Sequence, residues 1–274
     1  MTKTRLTTMV LCAVCATAIS SAARAESEWA ARSELGYALA RGNSDTDNGN
    51  FKLDVAHLWD NWIFSSGLSG LYGKTNGIGS AQRWDGHFQV DYRFTAKMFW
   101  FGKLEYENDR YSGFAYQASA ASGLGRIFLQ TDSDKLTAQI GAGVRRLRTE
   151  QLIRDPDTKA VIQRIPGDSS EDAVASGALS YEHDFNSSTK LLEAVSVESG
   201  RSNTLLKNNL GVQVKMGSKL SLAVAYTYIR NSSPPPTILS KTDQLTTVNL
   251  VYEIKNDKIP AMPVALLQHL SSAN

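Results

Sequence analysis

"RWDGHFQVDYRF", residues 83–94, is the stretch that decides the fold. Trp84, Gly86, Phe88, Val90, Tyr92 and Phe94 hold its even positions. Arg83, Asp85, His87, Gln89, Asp91 and Arg93 hold its odd ones. Successive side chains of an extended strand point to opposite faces. One face of this strand is therefore aromatic and apolar, and the other is charged or polar throughout. The 3.6-residue repeat of a helix would scatter both sets around its circumference, so the alternation predicts a strand.

The pattern recurs on both sides. Over 28–39, Trp29, Leu35, Tyr37 and Leu39 oppose Arg32 and Glu34. Over 50–59, Phe51, Leu53, Val55 and Trp59 oppose Asn50, Lys52 and Asp54. Over 62–72, Trp62, Phe64, Leu68 and Tyr72 share a face. Over 100–109, Trp100, Leu104 and Tyr106 oppose Lys103, Glu105, Glu107 and Asp109. Weaker alternation continues over 116–128, 136–146, 173–185, 189–198, 204–216, 220–230 and 242–254, clearest where Leu220, Leu222, Val224, Tyr226 and Tyr228 take even positions. About twelve strands are expected, joined by turn-rich connections.

Connections of alternating length follow from that division: Gly42–Gly49, then Asp60–Asn61, Lys74–Gln82, Thr95–Met98, Tyr111–Ala115, Gln130–Lys135, Leu147–Asp172, Asn186–Ser188, Gly200–Asn203, Gly217–Lys219 and Asn231–Lys241. The two longest both fall at one end. Tight turns at one end, longer loops at the other and an even strand count are the pattern of an outer-membrane barrel. The predicted fold class is all-β: a transmembrane antiparallel barrel of about twelve strands. Trp29, Trp59, Trp62, Trp84 and Trp100 all fall at or near predicted strand ends, where an apolar ring with a polar tip suits a membrane–water interface. A soluble sandwich or lipocalin-like barrel would alternate as well, with the aromatics as its core. The dense charge on successive strand faces argues against it.

Residues 1–25 read as an export signal. Lys3 and Arg5 precede a mostly apolar run, Leu6–Ile19, and Ala23-Arg24-Ala25 offers a cleavage site. The run is too short for a membrane helix. Cys12 and Cys15 both lie within it, so the mature chain of 249 residues would carry no disulfide. It would hold 26 basic and 27 acidic residues, a balance that excludes a nucleic-acid or polybasic membrane-surface role. The expected domains are thus the signal (1–25), the barrel (26–254) and a periplasmic tail (255–274). In that tail the apolar stretch Ile259–Leu270 is broken by Pro260 and Pro263.

The register sends Arg32, Glu34, Lys52, Asp54, Arg83, Asp85, His87, Asp91, Arg93, Lys103, Glu105, Glu107 and Asp109 into the lumen. Charges of both signs on neighbouring strands fit a salt-bridged, hydrated interior. They also fit a narrow diffusion channel constricted by Arg83, Asp91, Arg93 and Glu105. Strand count does not choose between a filled and an open barrel. The Leu147–Asp172 connection would either fold inward as a plug or stay outside.

No enzyme is expected. A lipid hydrolase would need Ser and His together at the outer interface, and His57 and His183 face the lipid near the wrong end of their strands. Asp85 and His87 share an inward face, as a polar lumen requires in any case. No His/Cys cluster has zinc spacing, and no cofactor or metal is expected. The expected partners are outer-membrane lipids, the barrel-assembly machinery and small solutes or ions, with no nucleic acid.

Four stretches carry a family resemblance: "ELGYALARGNSDTDNGNFKLDV" (Glu34–Val55), "LYGKTNG" (Leu71–Gly77), "YENDRYSGFAYQASAASGLG" (Tyr106–Gly125) and "VYEI" (Val251–Ile254). Together they resemble the YdiY-like family, domain of unknown function 481, which bears the label salt-induced outer membrane protein. The resemblance spans about Glu28–Ile254. It implies an outer-membrane barrel with no established activity and no active-site residues. The chain departs from the usual barrel ending, because residues 255–274 follow the last strand. Within the first stretch, Asn43, Asp45 and Asp47 alternate like the opening of a calcium loop. The sixth position is Asn48 instead of Gly, the twelfth is Asp54 instead of Glu, and strands flank it. An external hairpin loop suits it better. The expected function is a small channel or structural barrel. The alternatives are a surface-interaction barrel working through its outer loops and an outer-membrane hydrolase.

Overall fold

The computed structural model describes residues 28–40, 46–157, 160–234, 241–254 and 259. The expected signal 1–25, the loop residues 41–45 and the tail apart from Ile259 lie outside the described residues. Twelve strands follow one another: β1 (Trp29–Ala40), β2 (Thr46–Trp59), β3 (Trp62–Thr75), β4 (Ile78–Arg93), β5 (Met98–Asp109) and β6 (Phe114–Gln130), then β7 (Asp134–Arg154), β8 (Val161–Asp184), β9 (Thr189–Gly200), β10 (Thr204–Lys215), β11 (Leu220–Asn231) and β12 (Thr242–Ile254). Each pairs with its sequence neighbours and β12 pairs back with β1, closing the barrel. The described residues contain no helix. The closing seam matches Ala31–Gly36 with Ile254–Asn249, all antiparallel. It is shorter than the β1–β2 ladder, which runs from Trp29↔His57 to Ala40↔Thr46.

The alternation of the sequence becomes an inside and an outside. On β4, Arg83, Asp85, His87, Gln89 and Asp91 are all buried, while Trp84, Phe88 and Tyr92 are 47%, 43% and 37% exposed. A soluble protein has the opposite order, and its apolar patches are small. Here the exposed apolar face continues round the wall through Leu35, Tyr37, Leu104, Ile140, Val212, Leu222 and Val248. Only lipid makes that arrangement favourable. Closure gives every wall strand two neighbours, so no sheet edge meets hydrocarbon.

Aromatic rings mark two levels on the outer wall. At the end holding the short turns, the turn end, Trp29 stacks on His57 at 4.2 Å and Trp62 packs on Tyr92 at 4.7 Å. Nearer the opposite, loop end, Trp84 packs on Tyr106 at 5.0 Å, and Tyr106 stacks on Tyr116 at 6.1 Å. Along β4 the two levels are eight residues apart, about 26 Å of strand and about 20 Å of height at the usual tilt. That is close to the apolar thickness such barrels present. Trp84 is not at a strand end as expected, because β4 begins at Ile78. The strand runs on beyond the aromatic level.

Three connections differ from expectation. Lys74–Gln82 is mostly strand: β3 and β4 meet at the two-residue turn Asn76-Gly77, with φ of 51° and 77°. Asn-Gly is the pair that tolerates this left-handed turn. Gly42–Gly49 is likewise shorter, since Asp47, Asn48 and Gly49 already pair within β2. Most of the expected 147–172 loop is hairpin, as β7 runs to Arg154 and β8 begins at Val161. The hairpin outgrows its neighbours, for β6 begins opposite Thr149 and β9 ends opposite Val174.

Candidate functional site

The lumen is built by parity. With outer positions committed to lipid, every second residue of each strand projects inward. All thirteen charged residues assigned to the lumen sit at such positions. Arg32, Glu34, Lys52, Asp54, Arg83, Asp85, His87, Asp91 and Lys103 are buried; Arg93, Glu105, Glu107 and Asp109 are half-buried.

Ion pairs and amide bonds gather these groups into two tiers. In the tier nearer the turn end, Arg32 Nε lies 2.7 Å from Glu34 Oε1, and Arg32 Nη1 donates to Gln213 Oε1 at 2.8 Å. Asn249 Nδ2 donates to Glu34 Oε2 at 2.9 Å. Glu253 lies 3.6 Å from Arg32 and 3.5 Å from Lys190, and Lys190 lies 3.6 Å from Glu182. Lys52 and Asp54 pair beside them at 3.3 Å. In the tier nearer the loop end, Glu107 receives Arg83 at 2.6 Å and Lys207 at 3.0 Å. Lys103 lies 3.0 Å from Glu105 and 3.8 Å from Glu198. Ser69 donates to Asp85 at 2.7 Å.

Several of these contacts join strands that are not neighbours. Arg32–Gln213 joins β1 to β10, Glu107–Lys207 joins β5 to β10, and Lys103–Glu198 joins β5 to β9. The interior is thus cross-braced by its own side chains. Asp54, Gln89 and Asn249, on three different strands, have no exposure at all. Two voids among the tiers hold about 30 Å³ each. A larger cavity of about 310 Å³ lies at the turn end, bordered by Asp184, Ser187, Lys190, Gln213 and Lys215.

The four residues of the channel reading do not gather at one level. Arg83 and Arg93 are ten residues apart on one strand, about 33 Å. Arg83 is engaged by Glu107, Glu105 by Lys103, and Asp91 accepts from Gln89 at 2.7 Å. Arg145, Lys190, Glu198, Lys207, Gln213, Asn249 and Glu253 join these groups from later strands, whose alternation is too faint in the sequence to single them out. The even outer positions of 220–228 already fixed the inner parity of the last strands.

Glycines make room for the braces. A Cβ on Gly67 would collide with His87 and Asp54, and one on Gly36 with Asn50 and Asn249. On the opposite wall, Gly125 and Gly141 receive the rings of Phe99 and Phe101.

Neither His183 nor His87 sits in a hydrolytic arrangement. His183 Nδ1 lies 2.8 Å from Asp134 Oδ1 at the turn end, and Tyr181 donates to the same oxygen at 2.7 Å. Ser133 donates to Asp134 at 2.6 Å, placing the carboxylate between serine and imidazole. A nucleophile needs the imidazole in the middle. Asp85 and His87 are deep in the lumen instead of at an open lip.

Above the loop end, the inner face of the β7–β8 hairpin is buried at Leu147, Glu150 and Leu152. Arg164 bonds Glu150 at 2.8 Å and the Arg110 carbonyl in the β5–β6 turn, and the Arg154 guanidinium lies 6.0 Å from the Tyr111 ring centre. Arg146, Arg148 and Gln151 face outward and are exposed.

These features define a class: a closed, twelve-stranded, membrane-spanning barrel whose lumen is crossed by a braced polar network. The chain belongs to the family described as protein of unknown function DUF481, whose profile matches residues 33–254. The uncharacterized protein YdiY of Escherichia coli (strain K12) is 25% identical over 240 residues, covering 87% of this chain and 88% of that protein. Among solved structures, the chain is similar to the KdgM porin, with 10% identity, a TM-score of 0.42, and 82% of this chain and 99% of that chain covered. It is also similar to the translocator domain of the autotransporter NalP from Neisseria meningitidis, with 11% identity, a TM-score of 0.42, and coverage of 86% and 92%.

Proposed function

We propose that the protein is an outer-membrane barrel that works as a closed structural platform, holding its β7–β8 hairpin above the outer surface, and not as an open porin. The reading takes residues 1–25 as the export signal and both barrel termini as periplasmic, with the hairpin end facing out. The single observation that carries it is the cross-braced lumen. Asp54, Gln89 and Asn249, on three different strands, are sealed from water, whereas a conducting pore keeps its lining hydrated. The outward arginines of the hairpin, Arg146 and Arg148, then form a surface available to other molecules.

Planar-bilayer recording tests the closed lumen. The refolded barrel, verified by heat-modifiable migration on a gel, is expected to give no discrete conductance steps at neutral pH. Reproducible steps would assign it to the channels instead. Trypsin treatment of intact cells tests the orientation: cleavage is expected within 145–172, and a chain cut only after the outer membrane is opened would reverse the topology.

A further inference from the structure

The inward face of the barrel wall is polar at mid-height, but it changes character at the turn end of β1–β3. The last inward positions there are Ala30, Ala56, Leu58 and Ile63, where the next ones up are Arg32, Asp54 and Ser65. An apolar collar at a water-filled mouth has no physical motive unless something apolar covers it. All four collar residues are in fact buried, and Ile259, five residues beyond the end of β12, is packed among them at 6% exposure. Five residues span at most about 17 Å, enough for the chain to leave β12 and turn back into the mouth beside it. The sequence that follows, "PAMPVALL" (260–267), is apolar as well.

We propose that the segment beginning at Ile259 is an internal ligand of the barrel, docking through Ile259 on the collar of Ala30, Ala56, Leu58 and Ile63. The other side of the turn-end mouth keeps its polar cavity, bordered by Ser187, Lys190 and Gln213. Docking there gives the chain beyond the last strand a contact with the wall. It is independent of whether the barrel conducts, because the contact is between a tail and a wall.

Cysteine accessibility tests it in the full-length protein, since the only native cysteines, Cys12 and Cys15, can be changed to serine. In that background Ala56→Cys reports on the collar and Ser187→Cys on the open cavity, each labelled with a membrane-impermeant maleimide after heat-modifiable migration confirms folding. Ala56→Cys is expected to react about tenfold or more slowly than Ser187→Cys. Adding Ile259→Asp is expected to remove most of that protection, and adding Ile259→Leu to preserve it. Equal labelling of the two sites, or protection of Ala56→Cys unchanged by Ile259→Asp in a folded barrel, overturns the proposal. Ile259→Cys, outside the barrel wall and so neutral for folding, gives an independent answer. Docked, it reacts about tenfold or more slowly than Ser187→Cys; at an equal rate, the tail is not seated and the proposal fails.

Discussion

Lys207 on β10 reaches across the lumen to Glu107 on β5, with Nζ and Oε2 3.0 Å apart, and Arg83 grips the same carboxylate at 2.6 Å. One acid thus serves two cations from separate parts of the wall, the half-buried Lys207 and the buried Arg83, which also lies 3.5 Å from Asp85. Desolvation makes such a cluster a weak source of net stability, but removing one member leaves the others uncompensated. Glu107→Ala is therefore expected to cost about 3–5 kcal/mol. Urea unfolding in lipid vesicles measures it. A cost near zero would mean that water fills the lumen and screens these charges.

Phe88 sits midway between the aromatic levels of Trp84 and Tyr92 and faces outward, 43% exposed. Phe88→Arg is expected to cost about 2–4 kcal/mol, the depth-dependent cost of a cation near mid-membrane. Tyr72→Arg is expected to cost at most about 1 kcal/mol if Tyr72 marks an interface. Equal costs at the two positions would contradict the membrane placement.

Gly67 lies under the His87 ring and the Asp54 carboxylate, where a side chain has no room. Gly67→Val should overpack the lumen, at about 1–3 kcal/mol. Gly217 has open space around it in the β10–β11 turn, so Gly217→Ala should leave the unfolding midpoint unchanged. The pair distinguishes a filled interior from a merely narrow one.

The first five strands were legible because both faces were emphatic: Trp84, Phe88 and Tyr92 outside, Arg83, Asp85 and Asp91 inside. The later strands were faint for a reason that lies in the lumen itself. Where Phe99 and Phe101 project inward, the facing strands supply Gly125 and Gly141, so small residues replace polar ones and the contrast fades. The 147–172 segment failed as a strand prediction because beyond the membrane both outer and edge positions meet water. Ser169, Ser170 and Glu171 are all exposed, and no alternation survives. The braces across the lumen were out of reach, since parity names the wall a side chain leaves but not the wall it meets. Ile259 carried no signal of its own; its partners are small and apolar residues that any strand end could hold.

The seam between β1 and β12 has a consequence for how the chain reaches this state. Asn249 and Glu34, which share a hydrogen bond beside it, are 215 residues apart in sequence. Closure therefore waits on the last strand, and the large entropy of joining the two ends of the chain is met only when nearly all of the sheet is in place. Until then two edges stay open. A chain cut short before Thr242 would have no way to seal itself, so the barrel assembles as a whole or leaves a wall that lipid cannot accept.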